Sequence, residues 1–294
     1  MDPIEINSSA SVDGLQTVVL PTTSSQDEFQ IKRIRVWGVE FAKLDMMRTL
    51  EFVRYLVQRG KPEFLITANL NYLMLTQENP QLEKVNQRAA AILADGHPIV
   101  WRSRLGSCVQ RFRAMFGARK AATSGLQSRV AGSDLILELG RLSAEHGYRV
   151  FLLGGEPGVA EAAADVMQTK YPGCQIAGCY APPFRKLSEQ EELDMLARIS
   201  DTKADILLLA TGQPRGEIWL SENLDKIAAS VSIQVGASFD FLAGKSRRAP
   251  KFFQRIGCEW LYRACSEPRR LVPRYARNAA FLLKCVIRES FSKQ

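Results

Sequence analysis

Four apolar segments, RVFLLGG (149–155), CQIAGCY (174–180), DILLLATG (205–212) and VSIQVGASFD (231–240), decide the fold. Each is four to eight residues of β-branched or aliphatic chain running into glycine or another turn residue, the pattern of a buried strand. Helical patterns separate them. Pro157–Tyr171 places proline near the first turn, Ser188–Ser200 opens with a capping-box pattern (Ser188 and Glu191), and Glu217–Ala229 completes the alternation. Strand–helix alternation predicts a mostly parallel sheet with helices on both faces, a Rossmann-like α/β fold.

The same logic extends toward the N-terminus. Ser133–His146 is amphipathic, with Ser133-Asp134 offering an N-cap. IRVWGVEF (34–41) reads as one alternating strand. LDMMRTLEFVRYLVQRG (44–60) reads as a helix with Met46, Leu50, Val53 and Val57 on one face and Gly60 as its stop. FLITANL (64–70) is a buried strand, Asn71–Asn86 has helical spacing, and AAAILADG (89–96) is a short apolar edge ending on Asp95-Gly96. Residues 1–30 are polar, without periodicity and without a secretory signal, and read as a disordered leader. This gives a catalytic α/β domain over 31–244, with lobes of about 31–130 and 131–244. An appendage of basic helices follows over 245–294, broken at Pro250, Pro268 and Pro273.

The chain of 294 residues carries a net charge of +8, distributed unevenly. Residues 245–294 carry +10, residues 102–129 carry +7 with no acid, and the remainder carries −9. Such asymmetry draws an anionic ligand or surface to one side. No apolar run reaches the roughly 20 residues of a membrane span. Six cysteines without a CxxC pair read as reduced thiols. Two histidines, His97 and His146, cannot build a multi-His metal site, and no DxD pair offers carboxylates to a divalent cation, so neither metal nor cofactor is expected.

In a parallel sheet, ligands sit beyond the carboxyl ends of the strands. Five features fall there: Thr67–Asn71, Ala94–Gly96, Leu153–Gly158, Ala210–Pro214 and Gly236–Asp240. Glycines such as Gly154 and Gly155 allow close approach to a backbone, although LLGGEPG lacks the GxGxxG spacing and Pro157 removes a donor. Asp95 follows an apolar run, so its carboxylate is a candidate base with a raised pKa. On spacing alone, an ordinary Asp-Gly turn is the favoured reading.

Taken together, ITANLN (66–71), ILADGHPIVW (92–101), RVAGSDL (129–135), FLLGGEPGVAE (151–161), GQPRGEIW (212–219), VGASFDFLAG (235–244) and the run from Arg247 to Tyr275 resemble the WecG/TagA/CpsF glycosyltransferase family. The resemblance implies inverting, metal-independent transfer from a UDP-sugar to a polyprenyl-diphosphate-linked sugar in exopolysaccharide or capsule synthesis. It implies a cytoplasmic enzyme resting on the anionic inner leaflet of the membrane, with a second copy of the chain as an allowed partner. It assigns Asp95 as base, with Thr67 and Asn69 orienting a sugar. Gly154, Gly155, Gln213 and Asp240 fall to the UDP-sugar, and Arg248, Arg263, Arg270 and Arg274 to diphosphate. Two departures stand out: Gly216 replaces the Gln that the family commonly has before Glu217, and the basic segment at about 103–128 is longer than usual. A nucleotide-dependent oxidoreductase would need the missing dinucleotide fingerprint. A nucleic-acid binder would need a recognition module, and none is legible, so nucleic acid is not an expected partner. A UDP-glucose-specific member of the same family is the nearer alternative.

Overall fold

The computed structural model describes residues 29–105 and 124–291. The leader and most of the central basic segment lie outside the described residues. From Ile31 onward the described residues form one compact unit.

The first described element is a hairpin rather than the single strand that IRVWGVEF suggests. β1 (Arg33–Val36) and β2 (Val39–Ala42) pair antiparallel. The two residues between them, Trp37 and Gly38, both have positive φ (45° and 89°), the conformation of a tight hairpin turn. A period of two runs through both arms, so the alternation conceals the turn. Helix α1 (Met46–Arg59) is capped by the Asp45 side chain and ends on left-handed Gly60. It buries Leu50, Val53 and Leu56 together with Thr49 and Phe52.

β3 (Glu63–Ala68) is followed by α2 (Leu70–Glu78) and α3 (Gln81–Arg88). The expected helix over Asn71–Asn86 is divided at Pro80, which lacks an N–H and disfavours helix in the residue before it. β4 (Ala91–Ala94) leads through Asp95 into a helix that includes residues 97–105 (α4). α5 (Gly132–His146) begins one residue before the expected cap. Ala131 is its N-cap without a side-chain bond, and Ser133 is buried inside the helix. Then come β5 (Arg149–Gly154), α6 (Val159–Lys170), β6 (Gln175–Tyr180) and α7 (Glu189–Asp201), the last with the expected capping box of Ser188 and Glu191. β7 (Ile206–Ala210), α8 (Arg215–Asn223), β8 (Val231–Gln234) and α9 (Ser238–Leu242) complete the body.

The main sheet is parallel throughout, in the order β4-β3-β8-β7-β5-β6. It draws strands from both halves of the chain. Its central residues, Leu65, Ile66, Leu207, Leu208 and Ile233, are fully buried, as expected for strands covered on both faces. The carboxyl ends of β4, β3, β8, β7 and β5 lie side by side. They bring the turns after Ala94, Ala68, Gln234, Ala210 and Gly154 to one edge.

The tail forms α10 (Lys251–Arg255), α11 (Glu259–Ser266) and α12 (Pro268–Phe291). Pro250 and Pro268 stand at helix starts, but Pro273 does not break the chain as expected. It lies inside α12, early enough that it removes only one intrahelical N–H bond. The tail packs back on the body. Leu271, Phe281 and Cys285 are buried, Arg277 pairs with Glu78 of α2 at 2.9 Å, and Arg102 of α4 grips Glu289 with three contacts of 2.6 to 3.0 Å. Leu283, Val286 and Ile287 stand exposed on another stripe of α12. No helix among the described residues is long and apolar enough to cross a membrane.

Candidate active site

Asp95 stands immediately after β4. Its backbone N–H donates to Ala68 O of β3 at 2.8 Å, which pins the residue to the carboxyl edge of the sheet. The backbone N–H of Gly132 donates to its carboxylate. Gly132 is the first residue of α5, and its amide is one of the donors a helix start leaves without a partner. A side chain at Gly132 could not be accommodated, because a Cβ there would stand 2.7 Å from Val235 O. The close approach of α5 to the end of β8 therefore delivers this amide to Asp95.

Burial pushes the Asp95 carboxyl up to about 6. Arg129, the Gly132 amide and Arg263 oppose the shift, and Glu259 adds to it. Arg129 and Glu259 are themselves paired at 3.0 Å, both largely buried. The tail thus reaches the strand end through Glu259 and Arg263 of α11. The contact is reinforced where Gly257, with φ of 75°, lies against the rings of Trp101 and His97.

The arginines expected in the tail form a line. Arg248 pairs with Asp134 of α5 at 2.6 Å and feels both Glu259 and Asp95. Arg263 packs over the Phe241 ring at 4.9 Å. Arg274 is half-buried with its charge disfavoured, first by burial and then by the neighbouring Arg263 and Arg270. The Nε atoms of Arg248, Arg263 and Arg274 are all buried without a hydrogen-bond partner. Buried guanidinium donors without acceptors are costly unless an anion supplies them. Arg270 lies at the far end of this line, paired with Glu267 at 2.5 Å, and faces a cleft.

That cleft, of about 390 Å³, is lined by Glu156, Asp240, Lys245, Arg247 and Arg270 among others. Burial raises the Asp240 carboxyl, while Lys245 and Arg270 hold it down. Gly154 and Gly155 adjoin this region and are also packed within the fold. Gly154 has φ of 114°, and a Cβ on it would stand 2.7 Å from the Ala210 carbonyl. The Gly155 N–H is already engaged by Ala210 O at 3.1 Å. The pair sets the close packing of β5 on β7 and offers no amide at Gly155 to a phosphate.

Thr67 and Asn69 are also engaged within the chain. The Thr67 hydroxyl is buried and donates to Gln234 O at 2.8 Å. Asn69 caps α2, its Oδ1 accepting from Tyr72 N at 3.2 Å, and its side chain remains partly exposed. Gln213 accepts from Asn71 Nδ2 at 3.3 Å and faces Glu217.

Glu217 is the residue that sequence reasoning passed over. It is wholly buried at the start of α8, and burial pushes it up to about 7, against hydrogen bonds from its own backbone, Gln234 and Gln213. Its Oε1 and the Oε1 of Gln234 are both buried without a donor. The signal was a glutamine in the buried VSIQV strand, facing the Gly-Glu pair of GQPRGE. Arg129 and Glu259 were likewise visible as charges within motifs. What could not be seen was that they meet beside Asp95. Among the described residues no group of three or more His, Cys, Asp or Glu side chains is gathered as a metal site.

A parallel α/β sheet carries at its carboxyl edge a desolvated carboxyl beside half-buried arginines whose Nε donors lack an acceptor, features suited to an anionic substrate. The chain belongs to the WecG/TagA/CpsF glycosyltransferase family, whose model matches residues 34–294. It is similar to an N-acetylglucosaminyldiphosphoundecaprenol N-acetyl-beta-D-mannosaminyltransferase of Bacillus spizizenii, 29% identical over 73% of this chain and 75% of the relative. The same name belongs to proteins of Staphylococcus aureus strains MW2 and NCTC 8325. Each is 28% identical over 81% of this chain and 87% of the relative. The protein is a glycosyltransferase.

Proposed function

We propose that the protein transfers a hexose, N-acetylhexosamine or N-acetylhexosaminuronic acid from a UDP-sugar to a polyprenyl-diphosphate-linked sugar, with inversion, in exopolysaccharide or capsule synthesis. The observation that carries the reading is the meeting of Asp95 with the tail's arginines at the carboxyl edge of the sheet. The relatives' names put N-acetylmannosamine first among donors to test, and a diphosphate-linked lipid among acceptors.

Asp95 takes the proton from the acceptor hydroxyl as that oxygen bonds to the anomeric carbon. The bond from the anomeric carbon to the UDP oxygen breaks on the opposite side, and UDP departs with the electron pair. A carboxyl near 6 is mostly ionised at pH 7.5, yet basic enough to accept a proton in flight. Arg248, Arg263 and Arg274 supply donors to the developing diphosphate charge, with Arg270 and Asp240 at the donor end of the line. Thr67 then serves by holding β3 to β8, and Asn69 by starting α2 with its amide at the edge.

The exposed Leu283, Val286 and Ile287 stripe, and the apolar groove of Trp260, Leu261, Val272 and Tyr275, support a tail that rests on the inner leaflet. Its basic residues add roughly 1 kcal/mol each near an anionic surface. The protein then works as a peripheral enzyme on the cytoplasmic side.

Asp95→Asn tests the reading. Asparagine keeps an acceptor for the Gly132 amide, so the fold and UDP binding persist while turnover falls by ~100-fold or more. Turnover at the wild-type rate removes Asp95 from the role.

A further inference from the structure

Glycine at position 216 has no backbone reason to be there. Its φ is not in the left-handed region, and it sits within the first turn of α8, where glycine weakens a helix. The reason is space. A Cβ on residue 216 would collide with Gln234 Nε2 and stand 2.8 Å from Thr211 Oγ1. Gln234, the last residue of β8, is wholly buried, and its Nε2 reaches Glu217 Oε2 at 3.4 Å. Glu217 also engages Gln213, and Gln213 accepts from Asn71. Only Gln213 and Asn71 of this relay are partly exposed, at the ends of β7 and β3 beside the Asp95 turn.

We propose that Gln234, admitted by Gly216, is a positioning residue: through Glu217 it sets the orientation of the Gln213 and Asn71 carboxamides, which read the hydroxyl or acetamido groups of the sugar being transferred. The inference rests on the glycosyl-transfer reading and deepens it. The departure at 216 is then a change of anchor. The carboxamide that the motif's pattern hangs from the helix start comes here from the neighbouring strand, into the same volume beside the same carboxyl.

Four full-length proteins test it: wild type, Gln234→Gly, Gly216→Gln, and the double variant Gly216→Gln with Gln234→Gly. Thermal unfolding is measured for each, together with calorimetric binding of UDP-N-acetylmannosamine, UDP-N-acetylglucosamine, UDP-glucose and UDP alone. Each single change is expected to weaken the preferred UDP-sugar about tenfold while leaving UDP itself within about twofold, because an orientation is lost rather than a charge. The double variant is expected to recover both the melting temperature and the preference among sugars, since one carboxamide again fills the space. Recovery of neither, or singles that lower the melting temperature without changing the preference, overturns the inference. If the wild type binds neither UDP nor any of the UDP-sugars, the glycosyl-transfer reading falls and this inference with it. Wild-type binding with an unrescued double variant sinks the inference alone.

Discussion

Two carboxyl groups stand along the same edge of the sheet, and their surroundings separate them. Asp95 is partly exposed, faces Arg129 and Arg263, and accepts from the first amide of α5. Glu217 is buried at the start of α8, faces carboxamides and its own backbone amide but no cation, and has one oxygen without a donor. Burial raises both, to about 6 and about 7. The cations and the helix start limit the rise at Asp95, so it is mostly ionised above about pH 6 and stays in reach of the surface. Nothing cationic limits the rise at Glu217, so it holds its proton into the neutral range and serves as a hinge of hydrogen bonds. A raised pKa therefore does not by itself identify a base. Access and the sign of the neighbours decide.

The sharpest way to break this comparison after Asp95→Asn is at Arg263. Its Nε is buried without a partner and its charge bears on Asp95. Arg263→Leu removes a charge-assisted donor worth roughly 1.5–3 kcal/mol, about 10- to 100-fold in affinity for UDP. It also removes a cation that holds the Asp95 carboxyl down, so the acid limb of kcat/KM moves to higher pH. UDP affinity at the wild-type level, read by calorimetry, would free Arg263 from the diphosphate. The wild-type limb itself is expected near pH 6, with activity falling as pH drops through it and Asp95 takes up a proton. A limb that stays in place in the Arg263 variant would separate the two groups.

Much of this arrangement is legible in the chain, and the exceptions share a cause. Strands such as DILLLATG are buried on both faces, so a continuous apolar run announces them without help from tertiary context. Asp95 and the tail arginines could be named because a carboxyl after an apolar run, and a cationic surplus with aromatics, are local signals. Their meeting is not local. Arg129 comes just before α5, Glu259 and Arg263 come from α11, and only the fold places them around one carboxylate. The Trp37-Gly38 turn escaped because both arms share one alternation. Pro273 escaped because a helix tolerates the loss of one N–H in its early turns. Gly154 and Gly155 stand at a strand end as a phosphate cradle would, yet glycine at 154 also avoids a clash with the Ala210 carbonyl, and at 155 a tight contact with Val159. Glycine in a strand-end turn carries either meaning, and only the neighbouring strand tells which. Glu217 was hidden most deeply, since its partners lie on β8 and in the turn after β7.

Glu217 gives the smallest effect and the cleanest one. Its folded pKa, about 7, lies above the ordinary 4.5. Below the ordinary value both the folded and unfolded chains hold the proton, and the neutral acid is accommodated in full. As pH rises from there through about 7, the unfolded chain releases its proton more readily, and stability is lost over that window. Glu217→Gln keeps a neutral group of the same shape and cannot ionise. The difference in melting temperature, variant minus wild type, is therefore expected to grow by a few degrees between pH 5 and pH 8 and to level off above. The corresponding difference for Asp95→Asn begins at a lower pH and ends near 6, because its cations have already brought that carboxyl down. Parallel pH curves for wild type and Glu217→Gln would mean that the buried carboxyl ionises as freely as one in water, and the distinction between the two sites would be lost.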